Sequence, residues 1–394
     1  CSNHSKTDYQ FRAPGTAWDT QGGSRWWRGR PDDRPFFTVI NLGTTHEGQI
    51  RNPRRRQQVE QQLRPEERHD PDEATLPPYY PDTPVVRKDW ATYYDLITLM
   101  DRRIAEILQD LEDDGLAEDT IVWFWGDHGR GLPRAKRWIY DSGSRAPLLI
   151  RVPEKWRAAA RPDHPGAAGP GTVNTDLVQF IDFGPTVLSL AGVAVPSWMQ
   201  GRPFLGGARA TPREVVYGAR DRVDEAFDTI RCVRDRRFKY IRNLQPHLPR
   251  SLPVAYMDRM PTMKEMRRLN EAGALTGAET QYFEEPKPVE ELYDTEADPH
   301  EVRNLASDPA YRRRLERLRT ELFAWMKRTG DAGLLPEPEF DAMKRPGDRY
   351  EVTAAPGIER VSPGDPSRVR LTCRTPGASL AYRIREAAAA SGIV

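Results

Sequence analysis

The chain predicts an α/β fold, a mostly parallel sheet flanked by helices, followed by a smaller antiparallel α+β subdomain and a partial β module. Three observations carry this. Short apolar runs at Phe36–Leu42, Ile121–Trp125 and Leu148–Val152 each have the length and composition of a buried strand. Between the first two, Tyr93, Leu96, Ile97, Met100, Ile104, Ile107, Leu108 and Leu111 recur at the three- and four-residue steps of one helix face. Beyond Pro203 come short runs separated by charged turns, Val215–Ala219, Thr229–Arg234 and Phe238–Asn243, the pattern of an antiparallel meander.

Alternation of strand and helix favours a parallel sheet, whose ligand sites lie at the carboxyl ends of the strands. Phe36–Leu42 enters a loop at Gly43 that carries Thr44, Thr45, His46 and Glu47. Residues 52–84 are rich in Arg, Glu, Asp and Pro; Pro77, Pro78, Pro81 and Pro84 argue against a regular helix or central strand and predict a long surface excursion. The helix that follows stops at Gly115. Ile121–Trp125 leads directly into Gly126, Asp127, His128 and Gly129. A helix is predicted over Val178–Ala191 despite Gly184 and Pro185, and a surface helix over Asp308–Gly330 with Leu315, Leu318, Leu322 and Trp325 inward. Past Pro346, Arg368–Arg374 and Ser379–Ile384 alternate as strands do. The expected division is 1–205 for an α/β catalytic part, 206–345 for the antiparallel subdomain and 346–394 for the β module.

Composition excludes some classes. Of the 394 residues, 59 are Lys or Arg and 58 Asp or Glu, so no strong net field draws the chain to nucleic acid or an anionic membrane. No apolar run approaches the roughly 20 residues of a membrane-spanning helix. Cys1, Cys232 and Cys373 are widely spaced and show no C-x-x-C pattern, so the thiols reveal no compartment. Oligomeric state is equally unreadable.

Glycines around Asp127 and His128 let the backbone turn so that a carboxylate oxygen and an imidazole nitrogen address one point, as two divalent-metal ligands would. An Asp-His-Gly turn is also simply a turn. His46 is a candidate proton donor or anion ligand, with local hydrogen bonding to the neighbouring threonines as the plainer alternative. Lys136, eight residues past His128, and Lys6, in the polar Ser2–Tyr9 segment, are either solvated charges or parts of the same pocket. Together, two lysines, a histidine and a metal pair would make a cationic pocket for a tetrahedral oxyanion.

The ordered pieces SNHSKTDY, THEGQ, PDTP, LMDRRIAEIL, WGDHGRGLPRAKRWIYDSGSRAPLLIRVP, DFGPTVLSLAGV and ELYDTEADPHEVRNLA resemble the type I, formylglycine-dependent sulfatases of the alkaline-phosphatase-like superfamily, over roughly residues 1–330. The resemblance implies an alkaline-phosphatase-like fold and hydrolysis of a sulfate ester, with a sulfated carbohydrate as substrate. It implies a calcium ion on Asp127 and His128, sulfate contacts and leaving-group assistance from His46 and Lys136, and an active-site lysine at Lys6. A secreted or periplasmic location is a further family expectation. Two departures stand out. Asp8 occupies a position where the family commonly has histidine, and no C-x-P-S-R or S-x-P-S-R sequence is present, so no nucleophile is assigned in this chain. The expectation is an amino-terminally truncated sequence whose formylglycine lies upstream and which alone does not turn over sulfate esters. Alternatives are a phosphodiesterase or phosphonate hydrolase of the same superfamily, or a non-catalytic glycan-binding protein without the nucleophile.

Overall fold

The structure, a computed structural model, describes residues 1–7, 9, 17–24, 26–30, 34–160, 170–171, 173–349, 352–362, 365–378 and 380. Its chain falls into two compact units, residues 1–43 with 335–394, and residues 44–334.

In the first unit, β1 (Ser2–His4) lies between β2 (Thr20–Gln21) and β3 (Thr38–Ile40), and both pairings are parallel. The predicted strand at Phe36–Leu42 is therefore present, shortened to the β-branched centre of the run. The unit also holds α9 (Glu337–Lys344) and an antiparallel hairpin, β10 (Gly357–Ser362) with β11 (Asp365–Thr372). The hairpin includes most of the predicted Arg368–Arg374 strand. Asp8, and Ser379–Ile384 apart from Leu380, lie outside the described residues.

The second unit opens with α1 (Gly48–Arg51) and α2 (Pro53–Gln62). The latter corrects the expectation of an irregular surface excursion over 52–84. Asn52 caps α2, its side chain accepting from the amides of Arg54 and Arg55, and Pro53 occupies the first turn, where its missing N–H costs nothing. Three of the four prolines that argued against a helix, Pro77, Pro78 and Pro81, lie where irregular chain does run, and Pro84 opens the next helix. Nor is the stretch all surface: Val59, Leu63, Tyr79 and Tyr80 are buried in the main core.

Helix α3 (Pro84–Asp113) begins nine residues before the periodic pattern, with Thr83 as its cap and Pro84 in its first turn. Asp89 ties it to its neighbours: one oxygen lies 2.5 Å from the Arg56 guanidinium of α2, and the other accepts from the Thr262 amide of α7 (Pro261–Glu271) at 2.8 Å.

β4 (Val122–Trp125) and β5 (Leu148–Arg151) are the predicted strands, but they pair antiparallel with each other and stay half exposed rather than buried. The connection between them carries only the short α4 (Asp141–Ser144), too little for the crossover that a parallel pair requires. After α5 (Glu154–Ala160), the predicted helix at Val178–Ala191 is reduced to a 3-10 turn and α6 (Phe183–Leu190), with Pro185 in its first turn.

The meander is as expected and gains a strand. β6 (Val216–Val223), β7 (Ala226–Arg234), β8 (Phe238–Asn243) and β9 (Glu290–Asp294) form a four-stranded antiparallel sheet in chain order. Helix α8 (Arg312–Thr329) covers it with Leu315, Leu318 and Leu322 buried beside Val233, Phe238, Tyr240 and Leu292. The other core joins α3 and α7 to Ile230, Cys232, Ile241 and Tyr293 of the same sheet, so residues on both sides of position 205 share one interior. No helix among the described residues is long and apolar enough to cross a membrane.

Candidate active site

The loop after β3 and the connection from β4 to β5 meet at Glu47. Its carboxylate, almost wholly buried, receives Lys136 Nζ at 2.9 Å and a two-pronged hydrogen bond from Arg137 at 2.8 and 3.0 Å. Burial alone would raise the pKa of this carboxyl; hydrogen bonds from Arg137 and Lys136 outweigh it and hold the group below the ordinary glutamate range. Closure depends on Gly131, because a methyl group there would stand 2.6 Å from the Glu47 Cβ.

His46 is next in chain to this anchor. The Gly48 amide donates to His46 Nδ1 at 3.1 Å, so the neutral ring carries its proton on Nε2. The ring meets Tyr256 edge-on at 6.4 Å, and the same Tyr256 ring lies under the guanidinium of Arg51 at 3.7 Å and of Arg137 at 5.6 Å. Arg51 and Arg137 thus share the Tyr256 ring, Lys136 and Arg137 both engage Glu47, and Arg137 also lies 3.8 Å from Asp224 and in the field of Glu225.

The backbone that presents Lys136 is strained. Arg134 and Arg137 both have left-handed φ angles, 60° and 77°, which cost roughly 1–3 kcal/mol each in a residue with a side chain. Two anchors hold them there. Arg137 is fixed by Glu47, while the buried Arg134 lies between the rings of Tyr79 and Tyr140 at 4.1 and 4.0 Å and donates to the carbonyls of His300 and Glu301. Below the loop, Lys239 Nζ reaches Asp141 at 2.5 Å and Glu301 at 3.1 Å. Burial pushes Asp141 up, but Lys239 and Arg234 more than reverse this; Glu301, pushed up by burial, is the member of the cluster that takes a proton more readily.

Asp127 and His128 meet one another. His128 Nδ1 lies 2.6 Å from the Gly129 carbonyl, which can only accept, so the ring's lone pair is on Nε2. That nitrogen is 3.5 Å from Asp127 Oδ2, and two electron-rich atoms at this separation suit a shared cation or proton. The Asp127 side chain is 74% exposed, open to a ligand. Among the described residues no group of three or more His, Cys, Asp or Glu is placed to hold a metal ion.

Of the sequence-predicted residues, His46 and Lys136 are thus joined through Glu47, and Asp127 pairs with His128 on the connection that also carries Lys136. Lys6 is exposed after β1 in the other unit, its carbonyl accepting from the Asn3 and Asn41 side-chain amides. Sequence reasoning missed Glu47 and Arg137, although each directly follows a candidate and the two have opposite charge.

The chain matches the sulfatase family model over residues 21–193. It is 39% identical over 411 residues to an ulvan-active sulfatase of Formosa agariphila, covering 98% of this chain and 66% of that protein. The chain belongs to the sulfatase family. Among other sulfatases, it is 29% identical over 326 residues to human N-sulphoglucosamine sulphohydrolase, covering 76% of this chain and 62% of the relative. A second ulvan-active sulfatase of Formosa agariphila is 31% identical over 251 residues, 62% of this chain and 44% of that one. The chain therefore spans about two thirds or less of the length of these curated sulfatases.

Proposed function

We propose that the full-length protein is a sulfuric ester hydrolase acting on sulfated carbohydrate, with His46, Lys136 and Lys6 as the catalytic residues of this chain and Asp127 and His128 as metal ligands. The observation that supports this reading is the Glu47 anchor, which holds Lys136 and Arg137 against the residue next in chain to His46. Lys136 keeps N–H donors beyond the one engaged by Glu47, and these can hold sulfate oxygens. His46 has its proton on Nε2, the atom that would donate to the departing sugar oxygen. Asp127 Oδ2 and His128 Nε2 would hold a calcium ion, which when bound supplies fixed positive charge to the sulfate oxygens. The proposal assigns the nucleophile to a formylglycine outside residues 1–394, because covalent catalysis needs a group this chain does not supply. It also keeps the division at 1–205, 206–345 and 346–394 as the functional one. The names of the ulvan-active relatives support a sulfated glycan as substrate.

The test is steady-state kinetics of the full-length protein on a matched aryl sulfate and aryl phosphate, with Lys136→Ala beside the native protein. Preference for the sulfate, with kcat/KM reduced at least a hundredfold in the variant, is expected. Preference for the phosphate would assign a phosphodiesterase or phosphonate hydrolase, and turnover of neither would leave a glycan-binding protein.

A further inference from the structure

Three polar groups from separate segments crowd one point beside His46. Gly48 has no side chain, and the place a Cβ would take there lies 3.1 Å from His46 Nδ1, 3.3 Å from a terminal nitrogen of Arg55 and 3.5 Å from the Tyr256 hydroxyl. Arg55 belongs to α2, and Tyr256 to the segment that leads into α7. A side chain at position 48 would press on all three, so the glycine lets them close in.

Two of the three have no partner of their own. Arg55 bonds Asn52 through its backbone amide, but its exposed side chain has no hydrogen bond or ion pair among the described residues. The Tyr256 hydroxyl, on a half-buried side chain, likewise has no hydrogen bond among the described residues. A ligand can reach both. Tyr256 is held in place, with the Arg51 guanidinium 3.7 Å from its ring centre and donating to its carbonyl at 3.4 Å, and the His46 ring edge-on. The carboxylates of this region are occupied: Glu47 by Lys136 and Arg137, Asp224 3.8 Å from Arg137, and Glu225 by the Ala255 amide. An exposed arginine by itself is ordinary surface charge. One that leans with a phenol hydroxyl against a candidate proton donor is placed to meet a ligand.

The guanidinium fork and the phenol O–H together supply donors that a carboxylate or a sulfate accepts. They lie on the Nδ1 side of His46, one imidazole width from Nε2, the nitrogen assigned to the departing sugar oxygen. A group they hold therefore sits on the leaving sugar or on the residue bonded to it.

We propose that Arg55 and Tyr256 select the leaving group, binding an acidic substituent, a carboxylate or a second sulfate, on the sugar that His46 protonates or on its neighbour. The placement relative to a leaving group rests on the sulfatase reading; the anion-binding pair does not.

Three disaccharides that share one scissile sulfate test this in the full-length protein: one with a uronic carboxylate nearby, one with a second sulfate in place of that carboxylate, and one carboxyl-reduced and neutral there. The readout is the ratio of kcat/KM for each acidic substrate to that for the neutral one, which a general loss of folding or catalysis does not move. In the native protein the ratio is expected to be about ten or more for one acidic substrate, which names the substituent. It should fall about tenfold in Arg55→Gln and severalfold in Tyr256→Phe, with Arg55→Lys between Arg55→Gln and the native protein. Native ratios near one for both acidic substrates, or a ratio that Arg55→Gln leaves in place, would overturn the proposal. If no sulfate ester is turned over, the sulfatase reading fails, and calorimetry with the same three compounds decides the pair alone. Tighter, Arg55-dependent binding of an acidic disaccharide supports the pair, and equal binding of all three rejects it.

Discussion

At the scale of single residues, the two candidate groups behave oppositely on removal. Asp127 is largely exposed, and its contact in this chain is His128, so Asp127→Ala should leave unfolding unchanged within about 0.5 kcal/mol. In the full-length protein it should abolish calcium binding by calorimetry and sulfatase turnover together; a folded variant that binds calcium unchanged would remove the metal assignment. Glu47 is buried with both partners in place, so Glu47→Ala strands two cations and should cost about 3–5 kcal/mol in urea unfolding at pH 7. The pH dependence has a definite sign. Since the folded group is held below its ordinary value, its stabilisation is present above the glutamate range and is lost as pH falls through the depressed folded value. The gap between native and variant stability should therefore narrow as pH drops below about 4.5.

Individual elements owe their placement to a few close approaches. The 44–48 loop and the 126–145 connection touch where Gly131 faces Glu47, and no side chain fits between them. Gly131→Ala should open that contact and loosen Lys136. The expected cost is about 1–3 kcal/mol in stability, the usual range for overpacking, with kcat falling more than KM changes. Activity equal to the native protein would show that the loops close independently of Lys136. The two left-handed arginines on the connection follow the same logic, because neither conformation would persist without the ring sandwich at Arg134 and the carboxylate at Arg137.

Over the whole molecule, the antiparallel sheet is the structural centre of residues 44–334. One face supports α8, and the other packs on the core shared with α3 and α7. Cys232, in the second strand of that sheet, is buried, and burial pushes its thiol up to about 11. It should resist alkylation at pH 8 in the native protein and react only at the rate of global unfolding, so its labelling by mass spectrometry across a urea series should track loss of the core. Labelling well before the far-ultraviolet circular dichroism changes would mean that the sheet opens separately.

What the sequence determined by itself is what short-range chemistry controls. The periodic face of α3, the inward leucines of α8, the strand runs, and the adjacency of Asp127 to His128 follow from spacing within one element, and a glycine or a cap acts on its immediate neighbours. Even there, the weight given to four distant prolines hid the cap at Asn52 and the helix behind it. The tertiary structure alone decided the antiparallel pairing of β4 with β5, the entry of β9 into the sheet, the Glu47 anchor and the approach of Arg55 and Tyr256 to Gly48. Each depends on groups far apart in the chain: Glu47 reaches Arg137 across 90 positions, and Arg134 reaches Glu301 across 167. Charge alone does not say which of 59 cations a given carboxylate will meet; burial and backbone closure select the partner, and they exist only once the chain has folded.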